Sequence, residues 1–194
     1  MISSSLREEV ARALREAEDS RKAIAPLAGR WPEIGIADAY AIQRTNIERR
    51  LEAGATIRGH KVGLSSRAMQ DMMGVHEPDY GHLLDDMFVF EGFEVATAEL
   101  LQPRVEIEVA FVLGAPLPKQ GCNAADVIRA TEYILPSIEI IDSRIADWKI
   151  GIVDTIADNA SSARVVLGGR PLRLDQIDVR GIGAALRVDG EIVE

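Results

Sequence analysis

The run Val105-Glu106-Ile107-Glu108-Val109-Ala110-Phe111-Val112-Leu113 decides how the chain is read. It is too β-branched and too apolar to be an exposed loop, so a strand is expected there. Side chains two apart on a strand point the same way, which puts Glu106 and Glu108 on one face among apolar neighbours. Two like charges that close repel each other. A second apolar run after Pro136, Ser137-Ile138-Glu139-Ile140-Ile141, sets another glutamate in similar surroundings. An edge strand can carry outward charge to block aggregation, and taken alone the Glu106/Glu108 pair fits such a solvated face. Three carboxylates on two apolar strands fit it less well, because burying each without a counter-charge costs on the order of several kcal/mol, a cost that a divalent cation removes. Oxygen donors suit a hard ion such as Mg²⁺ or Mn²⁺ and suit Zn²⁺ or copper poorly. Three protein ligands also leave positions open for water or a chelating substrate, such as a phosphate or a 2-oxo acid. No Gly-rich loop ending in Lys and Ser/Thr is present to cradle phosphate, which favours the acid.

Working outward, residues 5–24 carry Leu6, Val10, Ala13, Leu14 and Ala17 at helical spacing, with Ser5 and Glu8 in the form of a capping box. A second helix is expected from about Ala37 to Ala53, with Tyr40, Ile47 and Leu51 on one face and Gly54 as its stop. From Thr56 the texture changes to short apolar runs punctuated by Gly, Pro and Asp. Strands are expected at 57–64, 87–90, 105–113, 138–141, 163–167 and 184–188. A short helix at 66–73 should end at Gly74, with Met69, Met72 and Met73 filling core. Another should open at Asn123 and carry Val127, Ala130 and Ile134 inward until Pro136 breaks it.

The 194 residues, 47% hydrophobic, suffice for one core, and no composition break divides them. A single domain, 1–194, is expected, helical over 1–55 and β-rich over 56–194. No apolar stretch approaches the roughly 18 residues that span a bilayer, and the first twelve residues do not resemble a signal peptide, so a cytoplasmic location is expected. A net charge of -9 argues against nucleic acid or an anionic membrane surface as partner. It also means that an acidic substrate would need local positive charge, which a metal could supply. Cys122, the one cysteine, sits in a loop with no neighbouring histidine to activate it and reads as a tolerated thiol. His60, His76 and His82 lack the spacing of a helical zinc pair and receive no ligand role. Trp31 and Trp148 read as packing or interface residues.

Several motifs in order resemble the fumarylacetoacetate hydrolase superfamily, in its branch of 2-hydroxypenta-2,4-dienoate (2-oxopent-4-enoate) hydratases and 2-oxo-3-hexenedioate decarboxylases. They are Ala25-Pro26-Leu27, Asp38-Ala39-Tyr40-Ala41-Ile42-Gln43, Gly59-His60-Lys61-Val62-Gly63-Leu64 and Glu77-Pro78-Asp79-Tyr80-Gly81, then Gln102-Pro103-Arg104-Val105-Glu106-Ile107-Glu108, Pro136-Ser137-Ile138-Glu139 and Asp154-Thr155-Ile156-Ala157-Asp158-Asn159-Ala160-Ser161. The resemblance implies an α+β fold, a mixed β-roll flanked by N-terminal helices. It implies a Mg²⁺ or Mn²⁺ ion on Glu106, Glu108 and Glu139, with Lys61 and Asp79 as catalytic residues. Leu64, Asn159 and Ser161 would lie beside the bound acid. It further implies a homo-oligomer, association with a neighbouring pathway enzyme, and a C-terminal segment beyond Glu194 that completes the roll in family members.

The chemistry so implied is hydration. A metal chelates the C1 carboxylate and 2-oxygen of a 2-hydroxydienoate, the dienol ketonises, and water adds at the far carbon to give a 4-hydroxy-2-oxo acid. Proton transfers would fall to Lys61, Asp79 and metal-bound water. Without the resemblance Lys61 reads as a snorkelling surface lysine, Asp79 as a turn residue after Pro78, and the Asp158-Asn159 pair as a turn. Decarboxylation of a 2-oxo dicarboxylic acid, carbon–carbon hydrolysis of an acylpyruvate, and a non-catalytic partner subunit of the same fold are the alternatives.

Overall fold

The structure, a computed structural model, describes residues 1–193, the side chains of Met72 and Met73 excepted. The expected core role of those two methionines, and Glu194, lie outside the described residues. Packing groups the chain into two compact units that combine helices with sheets. The first is Met1–Phe88, Glu94–Arg104 and Ile140–Arg164, and the second is Val89–Phe93, Val105–Glu139 and Val165–Glu194. Residues 1–55 therefore share the first unit with later strands. No helix among the described residues is long and apolar enough to cross a membrane.

In the first unit, α1 (Ser4–Ser20) buries Val10, Ala11, Leu14 and Ala17, the stripe its spacing predicts. Its boundaries differ from expectation. The cap is Ser3, whose hydroxyl accepts from Leu6 N–H, and Arg21 in the left-handed region (φ 53°) stops the helix before Ile24. Helix α3 (Ile36–Glu52) follows the short α2 (Leu27–Arg30) and ends near Gly54 at φ 104°, a conformation that glycine adopts without penalty. Val10, Leu14, Leu27, Trp31, Ile42 and Ile156 meet in one apolar cluster, the last on α6 (Ile152–Ala157). Trp31 is thus a packing residue. Trp148 is anchored too, its indole N–H donating to the Gln102 carbonyl at 3.0 Å. Buried Asp154 fastens α6, accepting from Leu27 N–H at 2.7 Å and from Gly151 N–H at 2.8 Å.

Strand β1 (Ile57–Gly63) pairs antiparallel with β2 (Asp79–Leu84), setting Lys61 opposite Gly81 and Gly63 opposite Asp79. Asp79 therefore opens a strand and is not a turn residue. The amide nitrogen of Gln43, on α3, donates to the carbonyls of Tyr80 on β2 and Ile156 on α6, both at 2.9 Å. Helix α4 (Arg67–Met73) has Ser66 as its cap and Gly74 at φ 65° as its stop. Met69 on it is 44% exposed, so it does not fill core. The buried position of this helix is the next one, Gln70, whose amide donates to the Leu64 carbonyl.

The second unit holds most residues of a four-stranded sheet in the order β3-β6-β5-β4: β3 (Phe88–Val89), β6 (Ser162–Leu167), β5 (Thr131–Ile141) and β4 (Arg104–Leu113). Strand β3 is shorter than the expected 87–90. Helix α5 (Ala124–Ala130) opens at Asn123 with a capping box to Asp126, as its sequence suggests, but ends at Ala130. The expected continuation to Ile134 is strand instead. Thr131, Tyr133 and Ile134 are β-formers, and Ile134 exchanges hydrogen bonds with Leu172 at 2.8 and 2.9 Å. Pro136 stays within β5, where its carbonyl accepts from Gly168 N–H. The expected strand 184–188 shrinks to β7 (Arg187–Val188), paired with β8 (Glu191–Ile192) across Asp189-Gly190, both at positive φ as a tight hairpin requires.

Candidate active site and metal centre

Adjacent strands in a sheet lie about 4.8 Å apart, so β4 and β5 can bring their carboxylates together. They do. One oxygen each from Glu106, Glu108 and Glu139 lies within 4.8 Å of the others. Glu139 is buried, Glu106 half-buried and Glu108 exposed, so the group runs from interior to surface. Among the described residues this is the one group of three or more potential ligands close enough to hold an ion. Its donors are all carboxylate oxygens, and the set fits a hard divalent cation. Neither histidine nor cysteine takes part. Cys122 is exposed. His60 and His82 face each other across β1 and β2 with ring centroids 4.9 Å apart, and burial holds both below the usual imidazole range.

In the first unit, Lys61 Nζ donates to the Ala160 carbonyl at 3.0 Å, which places the ammonium and argues against a freely snorkelling lysine. Asp79 is 3% exposed. Burial pushes its carboxyl above the usual carboxylate range, against the downward pull of Lys61 and of the Thr155 hydroxyl, which donates to Oδ2 at 3.2 Å. Its other oxygen, Oδ1, is buried with no hydrogen-bond partner. Such a carboxyl favours its neutral form and is suited to carrying a proton. A Cβ at Gly63 would stand 2.2 Å from that oxygen, so the strand opposite must be bare.

The loop after α6 brings Asn159 and Ser161 to the same neighbourhood in different capacities. Asn159 grips the β2 backbone, accepting from His82 N–H at 2.7 Å and donating to His82 O at 2.9 Å, with a second amide hydrogen left over. It is a brace for the strand. The Ser161 hydroxyl is buried and has no partner. Leu64, half-buried, holds φ 54°, and its carbonyl accepts from the Gln70 side chain at 2.8 Å. Thr155 and Gly81 stand within the quoted motifs but received no role there, and the buried Arg144 was not singled out at all. The polar run Asp142-Ser143-Arg144 directly after an apolar strand was the available signal for the last. For Gly81, a Cβ would stand 2.3 Å from the Asn159 carbonyl oxygen. Gly81→Ala should therefore cost about 2–3 kcal/mol in urea unfolding; an unchanged midpoint would show that the backbone contact gives way.

No family model matches the chain. It is similar to 2-oxo-hept-4-ene-1,7-dioate hydratase of Escherichia coli, 43% identical over 191 residues that span 95% of this chain and 72% of the relative. It is 48% identical over 189 residues to 2-keto-4-pentenoate hydratase 1 of Dechloromonas aromatica (strain RCB), which covers 96% and 71% of the two chains. Among solved structures it resembles 4-oxalocrotonate decarboxylase from Pseudomonas putida G7 complexed with magnesium and adipate. The TM-score is 0.93 and the identity 38%, over 100% of this chain and 73% of that one.

Proposed function

We propose, on the premise that this chain belongs to the hydratase branch of the fumarylacetoacetate hydrolase superfamily, that it adds water to 2-hydroxypenta-2,4-dienoate or a close homologue. The product is a 4-hydroxy-2-oxo acid. The observation that carries the reading is the convergence of Glu106, Glu108 and Glu139 oxygens to within 4.8 Å, a donor set for the hard ion that a chelating acid uses. Those three residues would hold Mg²⁺ or Mn²⁺, and the bound ion would supply the positive charge that stabilises the enolate form of the acid.

The rest of the chemistry falls to side chains. The Lys61 ammonium, held against the Ala160 carbonyl, orients the acid and can pass a proton. Asp79, whose burial favours the neutral form, delivers a proton to carbon and takes one from the incoming water. The Ser161 hydroxyl is a buried donor available to the acid. Leu64 offers an apolar wall, and Asn159 acts by holding β2. The superfamily's β-roll belongs to the same proposal, supported by the sheet order of the second unit and the likeness to a solved relative. So does a homo-oligomer, supported by exposed apolar side chains on the strands such as Phe111 and Leu113.

A second reading, decarboxylation of a 2-oxo dicarboxylic acid, is favoured by the close likeness to a decarboxylase that binds adipate. Freshly generated 2-hydroxypenta-2,4-dienoate, with and without Mg²⁺, separates the two. Loss of dienol absorbance with a product heavier by one water, abolished by chelator, is the expected result. If 2-oxo-3-hexenedioate loses carbon dioxide while the dienoate is untouched, decarboxylation is correct; inertness toward both leaves the non-catalytic partner.

A further inference from the structure

Three consecutive residues other than glycine, Asn159, Ala160 and Ser161, hold φ values of 53°, 51° and 55°. L-residues avoid such a left-handed run because the Cβ crowds the following carbonyl. It persists only where the surroundings over-determine it. Here they do so from three sides. Ahead of the turn, Asp158 is 3% exposed and Arg144 6% exposed. Arg144 engages Asp158 through Nε to Oδ1, through its backbone N–H to Oδ2 at 2.9 Å, and through Nη2 to the Asp158 carbonyl at 2.7 Å. The Ser143 hydroxyl adds a bond to Oδ2 at 3.4 Å. Within the turn, Asn159 is pinned to His82, and Gly81 leaves room for its carbonyl. Behind it, the Ser161 carbonyl accepts from Asp142 N–H at 2.7 Å.

The outcome of this arrangement is one carbonyl, that of Ala160, aimed at Lys61 Nζ. Burial disfavours the Arg144 charge, but Asp158, with Glu18 and Asp142 adding to it, outweighs burial and holds the guanidinium above its ordinary range. A lysine could not replace it, because only a planar fork reaches a carboxylate and a carbonyl at once. We infer that Arg144 is a positioning residue: acting through Asp158, it fixes the left-handed turn whose Ala160 carbonyl sets where the Lys61 ammonium stands. The catalytic consequence rests on the reading of Lys61 given above; the geometric one does not.

The test uses Arg144→Lys and the milder Ser143→Ala, each in protein labelled with ¹³Cε-lysine, with the Lys61 signal assigned by its loss in Lys61→Arg. In Arg144→Lys the Lys61 signal should move or broaden. The kcat for dienoate should fall about 10-fold or more and KM should rise with it, because the clamped turn both places Lys61 and carries Ser161, the two groups proposed to meet the acid. Ser143→Ala should move the signal the same way by less. A folded Arg144→Lys with the parent's Lys61 signal and kcat overturns the inference. Should that variant not fold, an unmoved signal in Ser143→Ala overturns it equally. If the parent turns over no dienoate, the functional reading fails, and the Lys61 signal alone decides whether the clamp exists.

Discussion

Glu139→Gln will lower dienoate hydration by about 10²–10³-fold, the range seen when one preorganised electrostatic partner is removed from a site. Glu139 is the buried member of the three-carboxylate group. An amide keeps its shape but halves its acceptor capacity and removes its charge. The same change has a second readout that needs no turnover. An ion that binds the folded chain alone raises stability by mass action, about 2.7 kcal/mol when present at 100 times its dissociation constant. The parent's melting temperature should therefore climb with added Mg²⁺, and that of Glu139→Gln should stay flat at the same concentrations. A parallel climb in both proteins would remove Glu139 from the ligand set.

Asp79→Asn should cut kcat by about 10²-fold or more, the usual contribution of a general acid–base, while making the fold more stable in neutral buffer. The two effects have one origin. Burial raises the Asp79 carboxyl above its unfolded value, so the folded state prefers the proton more than the unfolded state does. A group raised in this way contributes fully below the unfolded carboxylate range, about pH 4, and that contribution is lost as pH rises through the folded value. Asparagine mimics the neutral carboxyl at every pH. The variant's gain in urea midpoint should thus be absent near pH 4 and grow toward pH 8. A gain that shrinks with rising pH would mean that Lys61 dominates burial at this carboxyl.

The parts of this protein that sequence revealed are those where local pattern and tertiary fate agree. Strand β4 announces itself by β-branched density, and α1 and α3 by their apolar stripes. The three glutamates were conspicuous because charge is out of place in such strands. Strand β2 was hidden for the opposite reason. Asp79-Tyr80-Gly81-His82 has weak intrinsic preference for a strand, and its conformation comes from pairing with β1, the Gln43 bond and the Asn159 brace. The start of β5 misled because Val127, Ala130 and Ile134 keep helical spacing past the point where Thr131 turns to strand. The turn at 159–161 contains no glycine, and only Asn159 carries a local preference for its handedness; Ala160 and Ser161 carry none. Its partners, strand β2 and Arg144, are brought to it and to the adjoining Asp158 only by folding.

Because the amide nitrogen of Gln43 commits both hydrogens to carbonyls of β2 and α6, the strand bearing Asp79 and the helix bearing Thr155 are coupled mechanically through a third element. In the proposed role of Asp79 as proton donor, the carboxyl and its Thr155 partner sit on two elements gripped by a single glutamine.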